Sequence, residues 1–347
     1  MYKSFIQAVL LIFVASITHG QDTIVHFIKD NPDKSSIYFR YNGKILVDIN
    51  SDRAMPLAST VKIIVAIEYA EQAAAGTINP NTLIDTSDIN RYYIPNTDGG
   101  AQPGWTNLMT SQNLFVDGKV SLEEVVKGMI NFSSNANTEY LIDLLGLDNV
   151  NMRTETLGLK SHTPLYYFIS ALKVINDHSK EELENMSLDE YVSAANSNHT
   201  MLKNDRNIVN TITALTIDKQ YIWSNRLPAA STHDYASIMQ KINGREYFSP
   251  EAQKNIDIVM EGILQNPANR KWLKHAGMKG GSTMWILTKV MYATKTDDET
   301  VELAYFFNDL SLTEQLKLQK DMNKFELAIL SNKEGARDRI TELLNSK

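Results

Sequence analysis

No cysteine occurs in the 347 residues. That excludes disulfides, thiolate metal sites, a cysteine nucleophile and a lipid-modified cysteine anchor. Positive charge is also scarce: 34 Lys and Arg stand against 41 Asp and Glu, for a net charge of −7. Nucleic acid, which needs a basic face, is not expected as a partner. The seven histidines form no close ligand pair along the chain, so neither a metal nor another cofactor is expected. No phosphate-cradling loop is present, because GMKGGS lacks the P-loop spacing and a strand pattern follows it. Beyond the first 20 residues no apolar run is long enough to span a bilayer.

What is present reads as an exported globular protein. Lys3 supplies a positive start, Phe5 to Ile17 is almost wholly apolar, and Ser16, Thr18 and Gly20 are small or polar. This layout predicts a cleavable signal over residues 1–20 and a periplasmic or secreted location. Residues 21–347 then form one enzyme-sized domain, expected to be monomeric.

Ser36 to Asn50 contains two β-rich runs flanking Asn42-Gly43, the dipeptide of a two-residue hairpin turn. The mature chain is therefore expected to open with an antiparallel hairpin. Leu57 to Ala75 reads as a helix between Pro56 and Gly76. Ser121 to Phe132 carries a capping-box start, and Thr138 to Leu145 continues as a helix that Gly146 could end. Residues 150–227 mix short apolar pieces with polar clusters and give no clear pattern. Thr232 to Ile242 and Pro250 to Leu264 are helical, Trp285 to Ala293 and Val301 to Phe307 are strand-like, and Glu314 to Leu344 closes as a helix or helix pair. The expected fold class is α+β: an antiparallel sheet built from both chain termini and flanked by helices, plus a helical lobe over roughly 77–230. A cleft between the two would hold a ligand.

Three short motifs could carry chemistry. Ser59-Thr60-Val61-Lys62 places a serine and a lysine on one helix face. A serine hydroxyl needs a neighbour to take its proton, and a desolvated lysine can be neutral enough to do so. Ser170 and Lys173 share that spacing, but only Ser59 stands at a helix start ahead of an apolar run. Ser133-Ser134-Asn135 offers a hydroxyl for proton relay and an amide for a substrate carbonyl, with helix capping as the alternative reading. Lys279-Gly280-Gly281-Ser282, at the start of a strand pattern, offers fixed positive charge, close backbone approach at Gly281 and the Ser282 N–H. A Gly-Gly turn is the alternative there.

In this order the three motifs resemble the signature of serine β-lactamases and penicillin-binding proteins. MPLASTVK and MINFSSNANTEYLIDLLG resemble the first and second motif segments of class A β-lactamases. STHDYASIMQKINGREYFSPEAQKNIDIVME resembles the helical segment that leads into their third motif. The resemblance implies acylation of Ser59, with Lys62 as general base directly or through water. It implies proton delivery to the leaving group by Ser133, a substrate amide held by Asn135, and a substrate carboxylate met by Lys279. The Ser59 and Ser282 N–H groups would form the oxyanion hole. The substrate would be a small molecule or derived from peptidoglycan. A β-lactamase-like amide or ester hydrolase, a D-alanyl-D-alanine carboxypeptidase or esterase of the same superfamily, and a non-catalytic penicillin-binding sensor are the competing functions.

Departures from the class A pattern are specific. Ser134 replaces the usual aspartate, and Gly280 replaces a threonine or serine. Arg91 to Leu108 reads as an inserted loop over the cleft, with Tyr92, Tyr93 and Trp105 as candidate substrate contacts. The class A water-activating glutamate has an asparagine four residues on. Glu181 and Asn185 have that spacing, although Ser179 before KEELEN also reads as the cap of a solvated helix.

Overall fold

The computed structural model describes residues 20–213 and 215–346. The expected signal lies outside the described residues apart from Gly20. A helix, α1 (Gly20–Asp30), precedes the hairpin and corrects the expectation that strands come first. Its Ile24, Val25 and Ile28 are buried at helical spacing. β1 (Ser35–Tyr41) and β2 (Lys44–Ile49) then turn through Asn42 and Gly43. Positive φ angles of 47° and 74° at these two residues suit the two-residue turn.

A bridge strand β3 (Met55–Pro56) leads through a 3₁₀ turn, Ala58–Val61, into α2 (Lys62–Ala74). Next come β4 (Leu83–Asp85), α3 (Thr86–Asn90), α4 (Ala101–Ser111), β5 (Lys119–Ser121) and α5 (Leu122–Lys127). A π-turn, Gly128–Phe132, separates α5 from α6 (Asn135–Leu145), and α7 (Leu147–Thr156) follows. The segment without a clear sequence pattern is helical: α8 (Phe168–Asp177), α9 (Lys180–Asn185), α10 (Leu188–Asn204) and α11 (Ile217–Arg226). β6 (Ala229–Ala230) pairs back with β3. Then come α12 (Thr232–Asn243), α13 (Pro250–Met260), α14 (Pro267–Arg270), β7 (Leu273–Ser282), β8 (Leu287–Lys295) and β9 (Thr300–Phe307). α15 (Leu312–Ser331) and α16 (Ala336–Asn345) close the chain as a helix pair.

The main sheet is antiparallel in the order β2-β1-β9-β8-β7, so both ends of the chain build it and β7 lies at an edge. Strand alternation divides its side chains between two cores. Val301, Leu303, Tyr305 and Phe307 join α1, α15 and α16 on one face. Ala304 and Phe306, with Val290 and Tyr292, join the larger helical core on the other. α2 is buried all round within that larger core, against α6, α7 and α13. Ile63, Ile64, Val65 and Ile67 are fully buried. Each contributes about 1.5–3 kcal/mol of hydrophobic stabilisation, and together they hold the start of α2 against the sheet.

The third motif needs a correction of place. Lys279 to Ser282 ends strand β7 instead of starting a strand. The three glycines that disguise β7 each meet a neighbour or leave room for one. A Cβ at Gly277 would lie 2.5 Å from the Tyr292 ring, which covers that position from β8.

Candidate active site

Ser59 sits in the 3₁₀ turn ahead of α2, and the Lys62 N–H donates back to the Ser59 carbonyl. In 3₁₀ geometry residues three apart eclipse, so Ser59 and Lys62 lie on one side. The backbone is bent to achieve this. Ala58, immediately before Ser59, has φ 46°, and Ser133 has φ 70°. Most other non-glycine residues with positive φ are Asn or Asp, which tolerate it; Ala and Ser do not, at a cost of about 1–3 kcal/mol each. The two strained positions bracket the motif cluster.

Lys62 is 1% exposed. Its Nζ donates to the Ser133 carbonyl at 2.6 Å and to Asn135 Oδ1 at 2.8 Å, with Ser133 Oγ at 3.4 Å. Burial drives its pKa well below the usual 10.5, the Lys279 charge lowers it further, and the Asp98 carboxylate opposes both. A neutral amine has two N–H donors and one lone pair. In that state the two short bonds would take both donors and the lone pair would remain to accept a proton.

Lys279 is also buried; its Nζ donates to Ser133 Oγ at 2.9 Å and to the Gly280 carbonyl at 2.8 Å. Burial, then the charge of Lys289, lowers its pKa to about 7. Ser133 Oγ thus lies between two lysines. Gly281 brings β7 against the nucleophile turn: a Cβ there would meet the Ser59 nitrogen at 2.5 Å and the Leu57 carbonyl at 2.6 Å. The Thr283 N–H bonds the Ile286 carbonyl within the β7–β8 hairpin. By alternation the N–H of Ser282, an exposed residue, turns away from β8 toward the open edge. Ser59, Lys62, Ser133, Asn135, Lys279, Gly281 and Ser282 are therefore brought to one place.

Glu181 is elsewhere. It is exposed in the first turn of α9, whose N-terminus is closed by a Ser179–Glu182 capping box. Its surface depression is shared with His178, Ser179, Glu182, Asn185, Met186 and Glu190, none of them a motif residue.

The 91–108 segment is a turn followed by α4, and two of its aromatics are not substrate contacts. Tyr92 and Trp105 are each 1% exposed core residues, while Tyr93 is half-buried. Trp105 Nε1 donates to the Glu124 carbonyl. The segment bears on the site through polar residues that no sequence pattern singles out. Buried Gln102 accepts from Ser134 Oγ, and Asp98 caps α4 while its charge raises the Lys62 pKa. Ser134, standing where aspartate is usual, also receives the Asn137 N–H at 3.0 Å and so caps α6.

Thr288 is a further residue missed from sequence. Its hydroxyl, buried on β8, bonds the Leu57 carbonyl at 2.9 Å and lies 2.6 Å from Thr60 Oγ1, tying the nucleophile turn to the sheet. A threonine at an inward strand position was the signal available. Glu139, one turn after Asn135, accepts from Ile169 N at 3.0 Å and Ser170 N at 3.2 Å and so fixes the start of α8. His199 lies against Glu139 and stacks 3.5 Å from Tyr167.

Among the described residues one mixed cluster has metal-ligand composition: Asp257, Glu261 and His275. Arg245 pairs with Asp257, and burial with the Asp257 charge raises the Glu261 pKa to about 8. Its His275 partners are acidic residues distant in sequence, which a search for histidine pairs does not find.

A five-stranded antiparallel sheet with the terminal helices on one face and a helical lobe on the other, and with a serine and two buried lysines where sheet and lobe meet, defines a β-lactamase-like fold. The chain belongs to the β-lactamase enzyme family, whose sequence profile matches residues 21–296. Solved structures agree on the fold. A β-lactamase from Sphaerobacter thermophilus is 19% identical, with a TM-score of 0.56 over 90% of this chain and 97% of that one. A β-lactamase from Chitinophaga pinensis is 15% identical, with a TM-score of 0.54 over 94% and 98%. A point mutant of PBP-A, solved as an acyl-enzyme complex with penicillin G, is 16% identical, with a TM-score of 0.53 over 90% and 96%. No curated protein sequence matches the chain.

Proposed function

We propose that the chain is an exported serine hydrolase that acts on β-lactams or related amides and esters through an acyl-enzyme at Ser59. The observation that carries this reading is the buried Lys62 amine, bonded to the Ser133 carbonyl and Asn135 Oδ1, with its pKa lowered by burial. Lys62 Nζ takes the Ser59 hydroxyl proton as Oγ attacks the substrate carbonyl carbon. The tetrahedral oxyanion is met by the Ser59 and Ser282 N–H groups. As the C–N or C–O bond breaks, Ser133 Oγ gives its proton to the leaving atom and is reprotonated from Lys62. Lys279, when charged, receives the substrate carboxylate, and Asn135 holds the amide. Water then releases the acyl group.

Glu181 is not assigned to this last step, because its solvated, helix-capping surroundings give it no partner among the motif residues. A release step without an assigned base suits a slow β-lactamase or a carboxypeptidase of the superfamily. Among the described residues no helix is long and apolar enough to cross a membrane. Export, to the periplasm or beyond, rests on the N-terminal sequence pattern. The test is intact mass of the mature protein after incubation with penicillin G. The expected result is a gain of one penicillin, absent in Ser59→Ala. A wild-type protein that takes no adduct from penicillins, cephalosporins or activated esters would overturn the proposal.

A further inference from the structure

Helix α4 sits directly on the turn that leads into the second motif. A Cβ at Gly104 would meet the Phe132 ring at 3.3 Å, and one at Gly128 would meet Trp105 Nε1 at 2.7 Å. A polar contact joins this packing: the Ser134 hydroxyl donates to Gln102 Oε1. Gln102 is 2% exposed and Ser134 is fully buried. The rest of the amide is committed as well, because Gln102 Nε2 donates to Asn90 Oδ1 at 3.1 Å. Ser134 Oγ in turn receives the Asn137 N–H in the first turn of α6. The Ser134 side chain therefore links α4 to α6 across the motif. Ser133, the residue before it, holds φ 70°. A non-glycine residue stays in that region only when its surroundings over-determine it. Lys62 Nζ holds the Ser133 carbonyl. The Ser134 N–H reaches the Gly128 carbonyl at 3.3 Å, which is long for such a bond. The Ser134 hydroxyl is the firmer anchor on that side.

We propose that Gln102 is a positioning residue for the second motif: its hold on Ser134 keeps Ser133 in the left-handed conformation that places Oγ for proton transfer to the leaving atom. The inference rests on the Ser59 acylation proposed above and adds a residue of α4 to the machinery of the leaving group. Gln102 acts through Ser134 and supplies no reacting atom. Without its amide oxygen the Ser134 proton turns to Asn137 Oδ1, 3.1 Å away, and the link to α4 is lost. The Ser133–Ser134 peptide then relaxes toward ordinary φ and carries Ser133 Oγ off its bond with Lys279.

The test uses two acylating reagents that differ in leaving group. Penicillin G expels a ring nitrogen, which must gain a proton as the C–N bond breaks. A p-nitrophenyl ester expels a phenolate, which leaves as the anion. Both depend on Ser59 and Lys62, so the ratio of their acylation rates within one variant isolates Ser133 and cancels a loss of folded protein. Gln102→Leu, close in volume and without hydrogen bonds, should lower the penicillin-to-ester ratio about tenfold. Ser134→Ala removes the same bond from the other side and should lower it too. Gln102→Glu keeps an oxygen for the Ser134 hydroxyl, with Asn90 turning its amide to donate, and should restore most of the ratio. A contact that only stabilises the fold slows both reagents alike. An unchanged ratio in both Gln102→Leu and Ser134→Ala therefore overturns the positioning role and leaves Ser59 acylation intact. A wild type acylated by neither reagent overturns both.

Discussion

Lys62 and Glu181 are two residues in this chain that could take a proton from a nucleophile, and their surroundings are opposite. Lys62 is held inside the protein by the second-motif backbone and by Asn135, beside a second buried lysine. Glu181 is exposed on α9, next to the Glu182 carboxylate that closes its helix with Ser179. One environment changes the chemistry of the side chain; the other solvates it. The contrast teaches that spacing alone is a weak guide. Glu181 and Asn185 have a suggestive separation, but only the Ser59–Lys62 pair lies where burial and neighbours act on it.

Substitution at Lys62 should break the comparison most strongly. Lys62→Met keeps the apolar volume and removes the base, and the acylation rate should fall about 10²–10⁴-fold in stopped-flow measurements with a chromogenic cephalosporin. A fall below tenfold would mean that another group takes the proton. Next is Gly281→Ala. The added Cβ meets backbone atoms of Ser59 and Leu57, which cannot swing aside. Overpacking should cost about 1–3 kcal/mol of stability, read by denaturant unfolding. The displaced nucleophile turn should slow acylation about 10²-fold.

A smaller effect comes from pH. Lys279 has its pKa lowered to about 7, so its cation is present below that value and lost as pH rises through it. The second-order acylation rate with a carboxylate-bearing β-lactam should therefore decline about fivefold from pH 7 to about pH 8. The decline should be absent with a neutral ester, which has no carboxylate for Lys279 to meet. The smallest effect is expected at Glu181. Turnover in Glu181→Gln should stay within about twofold of wild type, whereas loss of a true water-activating base would cost about 10²–10⁴-fold.

How far the sequence could be read follows from the same contrast. The Asn42-Gly43 hairpin, the Ser121 cap and the C-terminal helix pair were legible, because each depends on local chemistry. The motif residues were legible as types in order, and the structure adds their convergence. α1 went unread between the expected signal and the hairpin, although its buried Ile24, Val25 and Ile28 have helical spacing. β7 was hidden because its glycines read as a turn; their purpose depends on Tyr292 and Ser59, which are distant in sequence. α8, α9 and α11 were obscured by their short lengths, and the 17-residue α10 by its polar composition. Thr288, Gln102 and Asp98 act on the site through contacts that no local pattern records.

The chemistry proposed for Ser59 turns on the state of Lys62. Titration of lysine ε-carbon signals by NMR, with Lys62 assigned by its loss in Lys62→Met, reads that state directly. A midpoint well below 10.5 is predicted for the free protein. A midpoint at the ordinary lysine value would contradict the proposed base and the mechanism built on it.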